Sequence, residues 1–99
     1  LLERCPDIDG VFASSDAVAA GAMEALQSAG RRVPEDVGIV GFDDSSWALR
    51  VDPPLSTVRQ PARELGRAAA ESVLAQLRGE EHPSGGIVLD CPVVWRDSA

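Results

Sequence analysis

Short apolar runs and one helical repeat alternate along the first part of the chain. The runs VFA at residues 11–13 and VGIVGF at residues 37–42 have the length of buried strands and are too short for helices. Between them, apolar residues recur at helical spacing from Val18 to Ala29, after a Ser-Ser-Asp start and before Gly30. This order predicts a strand–helix–strand unit with parallel strands, which is typical of an α/β fold.

The later part of the chain predicts a loop, an extended segment, a helix and two short strands. Two consecutive prolines end the predicted loop of residues 45–54, and residues 55–59 can then run extended. Over residues 61–79, apolar side chains at helical spacing predict an amphipathic helix that ends at a glycine. Two further apolar runs, at residues 87–89 and 93–95, predict short strands.

Composition limits the size and the partners of the molecule. With 99 residues and 44% hydrophobic content, the chain can form one core but not two complete domains. Its net charge of −7 argues against a nucleic-acid-binding surface in this stretch, because phosphate binding needs clustered Lys and Arg. All nine basic residues are Arg, which excludes mechanisms that need a Lys amine, including that of phosphoacceptor receiver domains.

The cysteines and the length of the apolar runs indicate in which cellular compartment the protein is expected. Cys5 and Cys91 are far apart and lack metal-binding or redox spacing, so we expect two reduced thiols in a cytoplasmic protein. A disulfide between them is the alternative. No apolar run approaches the roughly 18 residues of a membrane span, and we expect no membrane partner.

Polar clusters follow both strands of the predicted unit. Residues 14–16 (SSD) come after the first strand, and residues 43–45 (DDS) come after the second. Because the carboxyl ends of parallel strands share one edge, where open α/β sheets bind ligands, the two clusters predict a binding cleft. Helix capping by the first cluster and a solvated loop for the second are the structural alternatives.

These residues favour binding over catalysis. The single histidine, His82, lies in the polar loop of residues 80–86 and is more typical of solvated surface than of a general base. No nucleophile elbow, phosphate loop, dinucleotide fingerprint or metal-ligand spacing is present, so we expect no catalytic residue, no metal and no cofactor. The carboxylate of Asp43 and the amide of Gln60 instead suit hydrogen bonds to sugar hydroxyls.

Four motifs occur in order along the chain. They are SD-x-x-A-x-G-A from Ser15, G-x-x-VPEDV from Gly30, GFDD ending at Asp44, and PPLSTV-x-Q ending at Gln60. From residue 6 to residue 96 the chain closely resembles the C-terminal part of the effector-binding domain of LacI/GalR (lactose-repressor/galactose-repressor) transcriptional regulators.

The resemblance implies a type I periplasmic-binding-protein-like fold, a Rossmann-like parallel sheet flanked by helices, of which this chain is a partial domain. Two α/β subdomains would hold the effector between them. Residues 1–59 and 92–96 would lie in the C-terminal subdomain, and residues 61–90 would belong to the N-terminal one. The DNA-binding headpiece is absent from this chain, so operator DNA would be bound only through that missing part.

The resemblance also implies which residues meet the effector. The first Asp of GFDD makes this contact in the family, and here it is Asp43. The Gln of PPLSTV-x-Q is Gln60. Ser15 stands where the family usually has Asn before Asp16, and both are expected at the effector. Ala62 replaces an aromatic residue of the family and weakens the match to its pocket.

A dimer interface is implied in the same way. The family dimerises through the surface that corresponds to the small-residue helix and the loop after the second strand. The residues expected there are Ala17, Ala20, Gly21, Met23, Ser46 and Trp47. Met can adapt to irregular gaps, and Trp can act as an aromatic anchor. Gln27 is expected to face solvent outside this interface.

The leading interpretation is the effector-sensing and dimerising part of a bacterial DNA-binding regulator, with a sugar as effector and a second copy as partner. Two alternatives remain. One is a periplasmic sugar-binding protein of an ABC transporter, which shares the fold. The other is a dimerisation module with a degenerate pocket, which rests on Ser15 and Ala62.

Overall fold

The structure is a computed structural model that describes residues 2–80 and 86–99. Within these residues the chain forms helices and strands in an order that confirms the α/β prediction. The elements are β1 (Gly10–Phe12), α1 (Asp16–Ser28), β2 (Gly38–Asp43), α2 (Trp47–Arg50), β3 (Ser56–Arg59), α3 (Ala62–Leu77) and β4 (Val93–Val94). The predicted strands near Val11, Val37, Leu55 and Val93 are thus present.

The described strands form one open sheet in the order β1-β2-β3-β4. Strands β1, β2 and β3 are parallel, with Val11 beside Ile39 and Gly41 beside Thr57. Strand β4 is antiparallel to β3, so the sheet is mixed. The parallel part brings the ends of β1, β2 and β3 to one edge.

Helix α1 begins at a capped residue and ends before a glycine. The side chain of Ser15 accepts a hydrogen bond from the Val18 amide at 3.2 Å, which satisfies one of the free donors of the first turn. The chain leaves the helix through Gly30, whose φ of 80° is a left-handed conformation that favours glycine. The buried side of α1 carries Met23 and Leu26 onto β2.

The core of the sheet lies on the side of α1. It consists of buried apolar residues from α1, α2, strand β2 and the connecting segments: Ala13, Ala19, Met23, Leu26, Val33, Val37, Ile39, Ala48 and Leu55. Because side chains alternate along a strand, Phe12 and Val93 lie on the opposite face, where they are 66% and 43% exposed. Neither α1 nor α2 covers that face.

Two compact units divide the chain. The first comprises the residues up to Gln60 together with Pro92–Ala99 and contains the sheet, α1 and α2. The second, Pro61–Cys91, contains α3, which has no buried residue. Several of its apolar side chains are exposed: Leu65, Val73, Leu74 and Leu77. A single amphipathic helix cannot enclose a core by itself, so its apolar stripe stays open in the described residues.

The short helix α2 lies inside the segment predicted as a loop. The proline pair at 53–54 disfavours helix only in the residues next to it, and the turn of helix ends at Arg50. The Ala48 amide donates to the Ser45 carbonyl at 3.1 Å, and the Ala48 side chain is fully buried. Burial of this one apolar residue on the sheet gives the segment its helical turn.

Residues 87–89 do not form the strand that their composition predicts. A strand needs a hydrogen-bonding neighbour, and among residues 2–80 and 86–99 none pairs with this segment. Ile87 and Leu89 instead line a groove of about 200 Å³ with Leu65 of α3. The predicted polar loop of residues 80–86 falls largely on residues 81–85, and these, including His82, lie outside the described residues.

Asp44, directly after β2, forms ion pairs with arginines from two other parts of the sheet. Its carboxylate accepts hydrogen bonds from Arg96 Nη2 at 2.9 Å and from Arg59 Nε at 2.8 Å. Arg96 also donates through Nη1 to the Leu55 carbonyl at 2.9 Å. Arg96 and then Arg59 hold the pKa of the Asp44 carboxyl below its ordinary value of 3.8. The pairs therefore link the end of β2 to β3 and to the residues after β4.

Replacing Asp44 by Asn is expected to lower the free energy of unfolding by about 1–2 kcal/mol at pH 7, because two charge-assisted hydrogen bonds are lost from a partly screened site. The folded-state pKa lies below the unfolded value, so the contribution is present above pH 3.8 and is lost as pH falls through the folded value. Urea unfolding from pH 7 down to pH 3 should show the difference between Asp44→Asn and wild type shrink at the acid end.

The matched control is Asp97→Asn, which removes an exposed carboxylate from the residue next to Arg96. This variant should unfold like the wild type at every pH. An equal loss in both variants would show that general charge, and not the Asp44 ion pairs, sets the pH dependence.

Candidate functional site

Three of the predicted effector residues lie at the carboxyl edge of the parallel strands. Ser15 lies shortly after β1, Asp43 is the last residue of β2, and Gln60 directly follows β3. Asp43 is exposed, whereas Ser15 and Gln60 are half-buried. Parallel pairing of the three strands places these residues at the same edge, as the topology of open α/β sheets requires.

Asp43 and Gln60 are in direct contact. The Gln60 side-chain amide donates to Asp43 Oδ1 with an Nε2–Oδ1 distance of 2.5 Å. This bond holds both side chains in place while Asp43 Oδ2 and Gln60 Oε1 stay available as acceptors within the described part of the chain. The pair therefore presents two acceptors at an exposed position, an arrangement that suits a ligand with hydroxyl donors.

The backbone at the acidic pair has an unusual conformation. Asp43 has a φ of 116° and Asp44 a φ of 55°, both in the left-handed region. Non-glycine residues adopt such angles only where the surrounding structure holds them, and these angles turn the Asp43 and Asp44 side chains in different directions. Asp43 can thus face the open edge while Asp44 meets Arg59 and Arg96.

Asp16 lies beneath this turn and is fully buried. Its Oδ1 accepts from the Thr57 hydroxyl at 2.5 Å, and its Oδ2 accepts from the Ser45 amide at 2.6 Å. Both oxygens are thus used inside the protein. This differs from the expectation that Asp16 meets the effector, and the physical reason is that helix α1 starts with its first residue against the sheet.

Gly41 makes room for the buried carboxylate. A Cβ at this position of β2 would overlap Asp16 Oδ1 and lie 2.9 Å from Leu55 Cδ2. The glycine is therefore needed for close approach, and its φ is not in the left-handed region. The GFDD motif thus combines a space for Asp16 with the exposed carboxylate two residues later.

Ser15 caps helix α1, which is one of the structural alternatives for the first polar cluster. Its oxygen accepts from the Val18 amide, and its hydroxyl proton has no acceptor within residues 2–80 and 86–99. Ala62 begins α3 in the second unit and is exposed.

A second surface collects most of the predicted interface residues. A groove of about 440 Å³ is lined by the small residues of α1 and by the segment around α2: Ala17, Ala20, Gly21, Met23, Glu24, Gln27, Trp47, Val51 and Asp52. Trp47 is 46% exposed, and the Arg50 guanidinium lies 6.0 Å from its ring centre. Ser46 is exposed at the start of α2 but does not line the groove.

Two details of this surface differ from the sequence interpretation. Met23 is only 2% exposed, because it lies on the same side of α1 as Ala19 and Leu26 and packs in the core. It forms the floor of the groove and is not free to adapt to a partner. Gln27 lines the groove as well, and its side-chain amide donates to the Asp52 carbonyl at 2.9 Å.

Sequence reasoning missed three residues that build the site. Thr57 and Arg96 contact the acidic residues, and Gly41 admits Asp16. Thr57 belongs to the PPLSTV-x-Q motif and Gly41 to GFDD, so the motifs carried a signal for both. Arg96 comes 52 residues after Asp44, and no local pattern indicates that the two meet.

The described residues hold neither a metal-binding cluster nor a membrane-spanning helix. Within residues 2–80 and 86–99, no three His, Cys, Asp or Glu side chains come together as a metal-binding group. In the same residues, the helices lack the length and apolar character needed to cross a membrane.

The chain is similar to known proteins in both sequence and structure. The family model described as a periplasmic binding protein-like domain matches residues 1–99. The regulator CelR of Thermobifida fusca is 42% identical over 98 residues, which cover 99% of this chain and 29% of CelR. The ribose operon repressor of Haemophilus influenzae is 41% identical over 98 residues, or 99% of this chain and 30% of that protein.

The structural neighbours agree with these relatives. The complex of CelR with cellobiose has a TM-score of 0.90 at 41% identity and is matched over 99% of this chain and 30% of its own. A LacI-family regulator of Arthrobacter sp. FB24 in complex with lactose has a TM-score of 0.79 at 38% identity, over 98% of this chain and 37% of its own. The chain spans about 30% of the length of the curated relatives it matches. It belongs to the LacI/GalR family of transcriptional regulators and forms part of their periplasmic-binding-protein-like domain.

Proposed function

We propose that this chain is the effector-sensing and dimerising part of a bacterial LacI-family regulator and that the effector is a sugar. The observation that carries this proposal is the Gln60–Asp43 hydrogen bond, which fixes two free acceptors at the carboxyl edge of the sheet. Sugar hydroxyls are donors that such oxygens bind strongly, often as adjacent pairs. The cellobiose complex of CelR and the lactose complex of the Arthrobacter regulator support the ligand class.

In this proposal the effector residues have different tasks. Asp43 is the main polar anchor, and Gln60 orients it and supplies a second acceptor. Ser15 assists through its hydroxyl, and Asp16 supports the turn from below, since its oxygens are already engaged. Ala62 offers no aromatic face to a sugar ring, so selectivity would depend on residues outside this chain.

The whole protein would be longer than the chain described. We assign residues 1–59 and 92–96 to the C-terminal subdomain and residues 61–90 to the N-terminal one, and the two compact units support this division. Operator DNA would be bound through a headpiece that is not among these residues, in the cytoplasm where the operator lies. The acidic charge of the chain agrees with a part that does not touch DNA.

The groove between α1 and α2 is the proposed surface for a second copy of the chain. Ala17, Ala20 and Gly21 leave little bulk above the helix backbone, and Trp47 stands at the side of the groove. A two-fold contact of this kind pairs the same surface on both subunits. The partly exposed Trp47 ring would be an anchor of the type enriched at such contacts.

One alternative function is favoured by a specific observation. A dimerisation module with a degenerate pocket would explain why Asp16 is turned inward and why Ala62 lacks an aromatic ring. A periplasmic sugar-binding protein has less support, because the relatives named above are transcriptional regulators. Effector titration separates the proposed effector-sensing regulator from a dimerisation module that has lost its pocket.

In the complete regulator, Asp43→Ala should weaken cellobiose or lactose binding ten- to a hundred-fold, because loss of a charged hydrogen-bond partner costs about 1.5–3 kcal/mol. Isothermal titration calorimetry measures the affinity, and retardation of an operator duplex shows whether DNA binding is kept. The control Asp9→Ala removes an exposed carboxylate just before β1, at the opposite edge of the sheet, and should change neither value. Unchanged sugar affinity in Asp43→Ala would reject the assignment.

Ala20→Glu places a charge in each half of the proposed two-fold contact and should weaken dimerisation at least tenfold, which sedimentation velocity at micromolar concentration would measure. Gln27 is unsuitable as the control, since it lines the groove. Ala25→Glu is the matched change on a different side of α1, at an exposed position, and should stay dimeric. If the Ala20→Glu protein also stays dimeric, the subunits meet elsewhere.

A further inference from the structure

We propose that Thr57 is the positioning residue of the effector site and that its hydroxyl, aligned by Asp16, aims the Asp43 carboxylate at the ligand. This inference rests on the proposed function, because it concerns the same site. Thr57 lies in the middle of β3 and is fully buried, so it cannot touch an effector itself.

The hydrogen bonds of Thr57 define the direction of its hydroxyl. Its single proton is donated to Asp16 Oδ1 at 2.5 Å, which turns a lone pair of the oxygen toward the Asp44 amide, 3.3 Å away. The other oxygen of Asp16 accepts from the Ser45 amide at 2.6 Å. Thr57 and Asp16 thus accept hydrogen bonds from the backbone amides of Asp44 and Ser45, the two residues that follow Asp43.

The hydrogen bonds of those two amides help to hold Asp43 and Asp44 in their left-handed backbone conformation. Left-handed angles at Asp43 and Asp44 persist only when neighbouring groups hold them, and the bonds to Thr57 and Asp16 are such constraints. If the Asp44 amide loses its acceptor, the turn can relax toward ordinary angles. The Asp43 carboxylate would then move away from Gln60, and a displacement of about half an ångström is enough to impair a binding site.

Two substitutions of Thr57 distinguish a role in positioning Asp43 from a role in packing the core. Thr57→Val keeps the shape of the side chain and removes the hydroxyl, whereas Thr57→Ser keeps the hydroxyl and removes a methyl group. Ser98 is a control of the same kind, because its buried hydroxyl donates to the Ile39 carbonyl at 2.6 Å and accepts from the Ser56 amide at 2.7 Å. Ser98→Ala therefore destabilises the same sheet without touching the turn.

A ligand-free measurement tests the geometry directly. In the complete regulator labelled with ¹⁵N-glutamine, the Gln60 side-chain amide is assigned by its loss in Gln60→Glu. Its two protons should be well separated in the wild type, in Thr57→Ser and in Ser98→Ala, because one of them is bonded to Asp43. In Thr57→Val the separation should collapse to that of a free amide. An unchanged separation in Thr57→Val would overturn the proposal.

A cellobiose titration adds the functional readout. Thr57→Val should bind about tenfold more weakly than the wild type, and Thr57→Ser and Ser98→Ala within about twofold of it. Equal weakening in Thr57→Val and Ser98→Ala would mean general destabilisation and would overturn the proposal. If Asp43→Ala leaves cellobiose affinity unchanged, the proposed function fails, while the Gln60 amide still decides the positioning role.

A second variant covers the case in which Thr57→Val does not fold. Asp16→Asn keeps the size of the side chain but replaces one of the two acceptor oxygens by a donor, so either the Thr57 hydroxyl proton or the Ser45 amide loses its acceptor. The proposal expects the same collapse of the Gln60 amide separation in this variant. Retention of the wild-type separation in Asp16→Asn would contradict it.

Discussion

The buried carboxylate of Asp16 is the constraint on which the carboxyl edge of the sheet depends. A carboxylate without water is tolerated only where hydrogen bonds replace its hydration, and here Thr57 and the Ser45 amide do so. Gly41 must lack a side chain for the oxygens to fit. One residue thus joins the start of α1, the end of β2 and the middle of β3, and their relative positions determine where Asp43 points.

The two surfaces proposed for ligand and partner share one short segment of chain. Asp43 ends β2, and only four residues later Trp47 begins α2 beside the groove. Between them, the Ser45 amide donates to Asp16, and the Ser45 hydroxyl oxygen accepts from the Trp47 amide at 3.3 Å. A change in the turn at Asp43 would therefore reach the α2 side of the groove through two hydrogen bonds.

Periodicity predicted the elements that local sequence controls. Strand β2 and helix α1 follow from an apolar run and a capped helical repeat, and the structure confirms both. Helix α2 was missed because burial of Ala48, a tertiary contact, decides it. Residues 87–89 have strand composition but no described pairing partner. The site needed more than spacing: the motifs pointed to Asp43 and Gln60, while the inward turn of Asp16 depends on Thr57, which lies 41 residues away.

The order of the strands along the chain has a consequence for biosynthesis. Strand β3 is complete at residue 59, but β4 and Ser98, whose hydroxyl accepts from the Ser56 amide, follow only after the whole second unit. At bacterial elongation rates the intervening residues take roughly 2 to 8 seconds to be made. For that time β3 is an unprotected edge on a nascent chain, and such edges pair readily with other strands. The chain order thus delays closure of this edge until the residues after the second unit, Arg96 and Ser98 among them, have been made.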